Sequence, residues 1–129
     1  MDERRLPQIL LVDDEAHQRV IYRAIFEHRG YHVLEAEDGE AAVRVAEDER
    51  PDLILMDVGL PWMDGWEVTR RLKSMPRTSA IPVLAVSAQV GSEGELRAVS
   101  AGCVGFLPKS LEPGAVADAV AAVIGLPPR

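Results

Sequence analysis

The chain has a single cysteine, no apolar run near the roughly 20 residues needed to cross a bilayer, and no cluster of lysine and arginine. Each shortage removes a class of function. Cys103, being alone, forms no internal disulfide, and its setting in AGCVGF, among small apolar neighbours, predicts a buried, inert thiol suited to a reducing cytosol. The N-terminal MDERRLPQ carries charge with no apolar segment behind it, unlike a secretory leader, so a soluble cytoplasmic protein with no membrane partner is expected. The formal net charge is −7, and no stretch gathers enough positive charge to offset a phosphate backbone; nucleic acid is excluded as a partner. Repeats, low-complexity tracts and interdomain linkers are missing too. The 129 residues suit one domain over 1–129, with a core from about 8 to 124 and loose ends of six or so residues at the start and four at the finish.

What is present is an alternation of short apolar runs with amphipathic stretches. QILLV (8–12), YHVLEA (31–36), DLILM (52–56), IPVLAV (81–86) and VGFL (104–107) read as strands. Between the first two, Ala16, Val20, Ala24, Ile21 and Ile25 recur at helical spacing and stop at Gly30, a natural residue just past a helix end. GEAAVRVAEDER forms a second helix closed by Pro51; Asp64 followed by Glu67 marks the capped start of a third, ended by Pro76. SEGELRAVSAG is the fourth, starting near Ser92 to Glu95 and weakened by Gly91 and Gly94. The fifth has Pro113 in its first turn and an apolar face of Val116, Val120, Val123 and Ile124. Strands separated by helices need crossovers, and continuous apolar runs suit strands covered on both faces. The expected fold is therefore α/β: a doubly wound, five-stranded parallel sheet in a three-layer sandwich.

In such sheets ligands bind at the carboxyl ends of the strands, where the winding reverses. The first strand runs into Asp13-Asp14-Glu15, the third into Asp57, the fourth into Ser87, and the fifth into Lys109. With the first and third strands adjacent, as in a 2-1-3-4-5 winding, three carboxylates converge. At 5 Å and an effective dielectric near 20, each close pair repels by roughly 3 kcal/mol. Oxygen-only ligands call for a hard ion, and Mg²⁺ fits better than Zn²⁺ or an enclosed Ca²⁺. His17, His28 and His32 lie in or beside the first helix and second strand, as surface or packing residues. Taken singly, Asp13 and Asp14 would serve to cap the first helix, Asp57 to turn the chain, and Lys109 to be solvated. Complementary groups on four strand ends together argue against incidental placement.

The stretches ILLVDDE, PDLILMDVGLPWMDGWEV, IPVLAVSA and AGCVGFLPK, in this order and at these spacings, resemble the receiver domain of bacterial response regulators over about residues 8–124. The resemblance implies a (βα)5 flavodoxin-like fold with strand order 2-1-3-4-5 and a phosphorylation-activated switch in a two-component or phosphorelay system. By it, Asp57 would accept a phosphoryl group from a phosphohistidine, with Mg²⁺ held by Asp13, Asp14, Asp57 and the Gly59 carbonyl. Ser87 would bind a phosphoryl oxygen, Lys109 would pair with the phosphoryl group, and Phe106 would be the aromatic that reports the switch through the surface of the fourth helix, fifth strand and fifth helix. The partners implied are a histidine kinase or histidine phosphotransfer protein and a downstream protein target, with the chain a monomer or weak dimer. It would be no enzyme beyond its own phosphorylation and dephosphorylation.

Three positions depart from the family pattern: Pro108 precedes Lys109 where a proline commonly follows it, Phe106 stands in place of the commoner Tyr, and Gly59 offers no side chain to shield an acyl phosphate. The Lys109–Ser110 peptide is expected to be trans, because cis before a residue other than proline costs about 2.5–4 kcal/mol. Competing readings are a degenerate receiver used only for contacts, a Mg²⁺-dependent phosphohydrolase, and a flavin carrier. Gly59 occupies the second acid position of an Asp-x-Asp nucleophile, and Asp-Asp-Glu stands where a flavin phosphate loop would be.

Overall fold

The computed structural model describes residues 6–60, 63–88 and 91–127. The expected loose ends fall mainly on residues 1–5 and 128–129, outside the described residues, as do Pro61, Trp62, Gln89 and Val90. Strands and helices alternate strictly: β1 (Gln8–Val12), α1 (Ala16–His28), β2 (His32–Ala36), α2 (Gly39–Glu49), β3 (Leu53–Asp57), α3 (Gly65–Ser74), β4 (Val83–Ser87), α4 (Ser92–Ala101), β5 (Gly105–Pro108) and α5 (Pro113–Ile124). The sheet is wholly parallel, in the order β2-β1-β3-β4-β5. No helix among the described residues is long and apolar enough to cross a membrane.

Alternate side chains of each strand feed opposite cores. Ile9, Leu11, Leu53, Leu55, Leu84 and Val86 pack beneath α1 and α5 against Tyr22, Phe26, Val116 and Val120. Leu10, Val12, Ile54, Met56 and Val83 face the other way, against Ala42, Ala46, Val68 and Leu72 of α2 and α3. Central β3 is buried at every position, Asp57 included. A carboxylate there is costly unless paired, which makes its surroundings the next question.

The punctuation follows the chemistry of the helix ends. Gly30, with φ of 99°, lets Tyr31 N–H and Gly30 N–H donate to the carbonyls of Phe26 and Glu27, closing α1. The Asp64 carboxylate accepts from Glu67 N–H at 2.9 Å and opens α3, while Pro113 occupies the first turn of α5. Three strands are displaced from the expected spans, β3 by one residue so that Asp57 closes it. β4 starts after Pro82, which has no N–H to give the ladder, and continues to Ser87; β5 ends on Pro108 rather than Leu107. α2 stops at Glu49, with Arg50 in the left-handed region at φ of 45°. α4 begins at Ser92, as expected, and the Lys109–Ser110 peptide is trans, like every other among the described residues.

Candidate functional site

Register brings the acids together. Val12 pairs with Met56 and Asp57 pairs with Val86, so Asp13, one residue beyond its strand, lies level with Asp57 on the neighbouring strand. One carboxylate oxygen from each of Asp13, Asp14 and Asp57 falls within 4.8 Å of the others. Asp13 and Asp57 are buried, at 5% and 4% exposure, and Asp14 is open to solvent. On the other side, Ser87 pairs with Pro108, and Lys109 N–H donates to the Ser87 carbonyl at 2.7 Å. That contact carries the lysine to the sheet edge, where its Nζ reaches Asp57 Oδ2 at 2.9 Å.

Each oxygen of Asp57 has a donor: Gly59 N–H at 2.9 Å on Oδ1 and Lys109 Nζ on Oδ2. Asp13 Oδ1 accepts from Glu15 N–H at 2.9 Å. Capping does not explain the acid pair, because the residue that opens α1 is Glu15 and no side chain caps it. Burial pushes the Asp13 carboxyl up from 3.8 to about 6, opposed by the Glu15 hydrogen bond and reinforced by the charge of Asp57. Burial pulls Lys109 down, but the hydrogen bond and charge of Asp57 outweigh it and leave the ammonium above its usual range. The donor set fits a hard divalent cation: three oxygen ligands converge, none of the three histidines joins them, and one lysine faces three acids.

Ser87 is buried at the end of β4, beside the Asp57–Lys109 pair. Phe106 is half-buried on β5, its ring centroid 6.0 Å from that of Trp66, in a third apolar cluster with Val58, Ala85, Ala98 and Ala101. Gly59 is exposed in the loop beyond Asp57. Glycine is required at 65 rather than at 59. A Cβ on Gly65 would lie 2.5 Å from Val58 Cα and 2.7 Å from the Asp57 carbonyl oxygen, so α3 begins hard against the strand end that carries Asp57.

Cys103 departs from expectation: it is only half-buried and lines a groove of about 240 Å³ between α4 and β5, with Glu95, Ala98, Val99, Val104 and Phe106. Burial still pushes its thiol above the usual value, with the Thr69 hydroxyl and Lys73 opposing. Two residues at the site carried no motif signal. Arg19 donates to the Asp13 carbonyl at 2.6 Å and to Glu35 at 2.8 Å. Tyr22 is buried beneath the acids; burial raises its phenol, Gln18 one turn back moderates the rise without reaching hydrogen-bonding geometry, and the charge of Asp13 adds to it. The apolar spacing of Ala16, Val20 and Ala24 pointed to the wrong face of α1: Val20 is 64% exposed, whereas Tyr22 and Phe26 are the buried residues, and the register of β1 against β3 sets Tyr22 under the acids.

The family model for the response regulator receiver domain matches residues 9–121. Over 103 residues, 80% of the chain, it is 35% identical to the polar-differentiation response regulator DivK of Brucella anthropi, covering 84% of that protein. It is 39% identical over 102 residues to the gliding motility regulatory protein of Myxococcus xanthus; the match takes in 79% of this chain but only 13% of that longer protein. Among solved structures, the receiver domain of the sensor histidine kinase PA1611 of Pseudomonas aeruginosa, which has a magnesium ion coordinated in its active-site cleft, superposes with a TM-score of 0.85 at 30% identity, over 94% of this chain and 99% of that one.

Proposed function

Because the chain belongs to the response regulator receiver domain family, the phosphorylation-activated switches of two-component signalling, we propose that Asp57 is its phosphoacceptor and that a partner phosphohistidine is the donor. One observation carries the reading: a buried carboxylate at the end of the central strand, bonded by Gly59 N–H and Lys109 Nζ, with two further acids within 4.8 Å. A structural acid at that position has no use for two more acids beside it.

An Asp57 carboxylate oxygen attacks phosphorus, the P–N bond breaks, and the imidazole leaves with the electron pair and takes a proton. Lys109 stays beside the oxygen it already touches and stabilises the negative charge gathering on the phosphoryl group. Asp13, Asp14 and Asp57, with the Gly59 carbonyl, are the residues to hold Mg²⁺, which when bound would offset the acids and polarise the phosphoryl oxygens. The phosphorylated side chain bears about −1.5 to −2 charge and three acceptor oxygens. Ser87 and Lys109 are the groups placed to follow them, and Phe106, three residues before the lysine on β5, transmits the movement towards α4. The product is a signalling state read by a downstream protein in the cytoplasm. No turnover of an external substrate is part of this function.

The test is incubation with acetyl phosphate, and with a phosphorylated histidine kinase, with and without Mg²⁺. Intact mass should rise by one phosphoryl group only with Mg²⁺, and borohydride reduction followed by peptide mapping should locate it on Asp57. Label at another residue, or none from any donor, would overturn the proposal.

A further inference from the structure

Beneath the acids lies a cavity of about 10 Å³, walled by apolar Leu11, Leu55 and Val86 and by three polar residues, Asp13, Asp57 and Tyr22. Tyr22 is 3% exposed, its ring stacks on Phe26 at a centroid distance of 6.1 Å, and its hydroxyl has no hydrogen-bond partner among the described residues. A buried hydroxyl left so costs about 1–3 kcal/mol, and the apolar ring alone would fill this part of the core equally well as Phe. The hydroxyl therefore needs a use.

We propose that this cavity is a built site for one ordered water, and that Tyr22 is a positioning residue that holds the acidic cluster through it. The volume suits a single water, which needs two to four polar partners; this lining offers three. Donors and acceptors also match. Ionised Asp13 and Asp57 only accept, and the phenol has a proton to donate. A water accepting from Tyr22 turns that one donor into two, one for each carboxylate. Asp13 gains a donor on its buried side, where Glu15 N–H, bound to Oδ1 from the loop, does not reach both oxygens. Held from below, the two buried acids keep the orientation in which their remaining lone pairs face a cation. Hydrogen-bonding partners of metal ligands commonly account for about 10–100-fold in metal affinity.

The inference rests on the reading of the cluster as a Mg²⁺ site, and the experiment separates the two. Tyr22→Phe keeps the ring and its stacking. High-resolution crystal structures of the wild-type chain and the variant, each without metal, read the water; titration of each with Mg²⁺ alone, followed by calorimetry, reads the coupling; thermal melts in chelator read the fold. The expected result is a water within hydrogen-bond distance of Tyr22 Oη and the Asp13 carboxylate in the wild type, lost in Tyr22→Phe, with Mg²⁺ binding about tenfold weaker and a melting temperature no higher. No ordered water in the wild type would overturn the proposal. So would a variant that melts higher and binds Mg²⁺ as the wild type does, since the hydroxyl would then be a mere unpaired group. A wild-type chain that binds no Mg²⁺ defeats the metal reading instead, and the water with the direction of the melting shift still decides the role of Tyr22.

Discussion

Asp13 is the residue at which chemistry and folding conflict most directly. It is 5% exposed, lies level with Asp57, and has its carboxyl raised to about 6 by burial. Asp13→Asn should stabilise the chain in chelator at neutral pH by about 1–2 kcal/mol, because it removes like-charge repulsion while an amide oxygen can still accept from Glu15 N–H. The same variant should bind Mg²⁺ at least about tenfold more weakly, for loss of a charged ligand. Urea melts and calorimetry on one preparation check both, and a variant that is less stable without metal would contradict the repulsion argument. Gly65 is the opposite case, a residue with no chemistry that the site still requires. Its absent Cβ would meet backbone atoms of Val58 and Asp57, which cannot rotate aside as a flexible side chain would. Gly65→Ala is expected to cost about 2–3 kcal/mol in urea melts and to slow phosphorylation by acetyl phosphate, because relief of the clash moves the strand end that carries Asp57.

At the scale of elements, α1 is fastened to β2 by charge as well as by packing. Glu35 on β2 accepts from Arg19 at 2.8 Å and is paired with Arg23, while Arg19 also donates to the Asp13 carbonyl. Partial burial raises the Glu35 carboxyl, but the Arg23 and Arg19 hydrogen bonds together outweigh it and hold the group below its ordinary value of 4.5. A folded-state value below the unfolded one adds stability above about pH 4.5 that is lost as pH falls through the folded value. Glu35→Gln should therefore cost about 1 kcal/mol at pH 7, with the difference from wild type vanishing in acid and shrinking in high salt. Melts across pH 3–7 measure it; a difference that persists undiminished at the acid end would rule the ion pairs out. This network was not legible in the sequence, because Arg19, Arg23 and Glu35 meet only once α1 has docked. The helix ends were legible where local chemistry sets them, at Gly30, Asp64 and Pro113. Arg50 was not: its left-handed turn lets the chain leave α2, pass Pro51 and enter β3 after only three residues.

For the whole molecule, topology does the assembling. Asp13 and Asp57 are 44 positions apart, and Lys109 lies 52 beyond Asp57, yet strand order and register make them neighbours. The apolar runs showed a polar residue at the end of four strands, and the strand order implied by the family resemblance was what made their gathering expected. Tyr22 was missed because the small and branched apolar residues Ala16, Val20 and Ala24 outlined a competing face of α1, and only docking on the sheet shows that Tyr22 and Phe26 are the buried side. The final expectation concerns the side of the molecule away from α1. Leu96, Val99 and Val104 are 68%, 74% and 54% exposed, around the groove of about 240 Å³ that half-buried Phe106 and Cys103 line. Large apolar side chains gathered on one face contribute little to the fold, so their replacement by charge should be nearly neutral for stability. Leu96→Asp with Val99→Asp should shift unfolding by no more than about 0.5 kcal/mol per substitution and leave phosphorylation from acetyl phosphate unchanged, because both are exposed and neither belongs to the acidic cluster or bonds to Asp57. If the phosphorylated state is read from this face, the double variant should lose binding to the downstream target while Asp57 still takes up phosphate. Alkylation of Cys103, slow at neutral pH because burial raises the thiol, gives a readout within the same groove: its rate should change when a beryllofluoride mimic of the acyl phosphate repositions Phe106. A double variant that still binds the target at wild-type affinity, together with an alkylation rate indifferent to the mimic, would move the output surface to another face of the sheet.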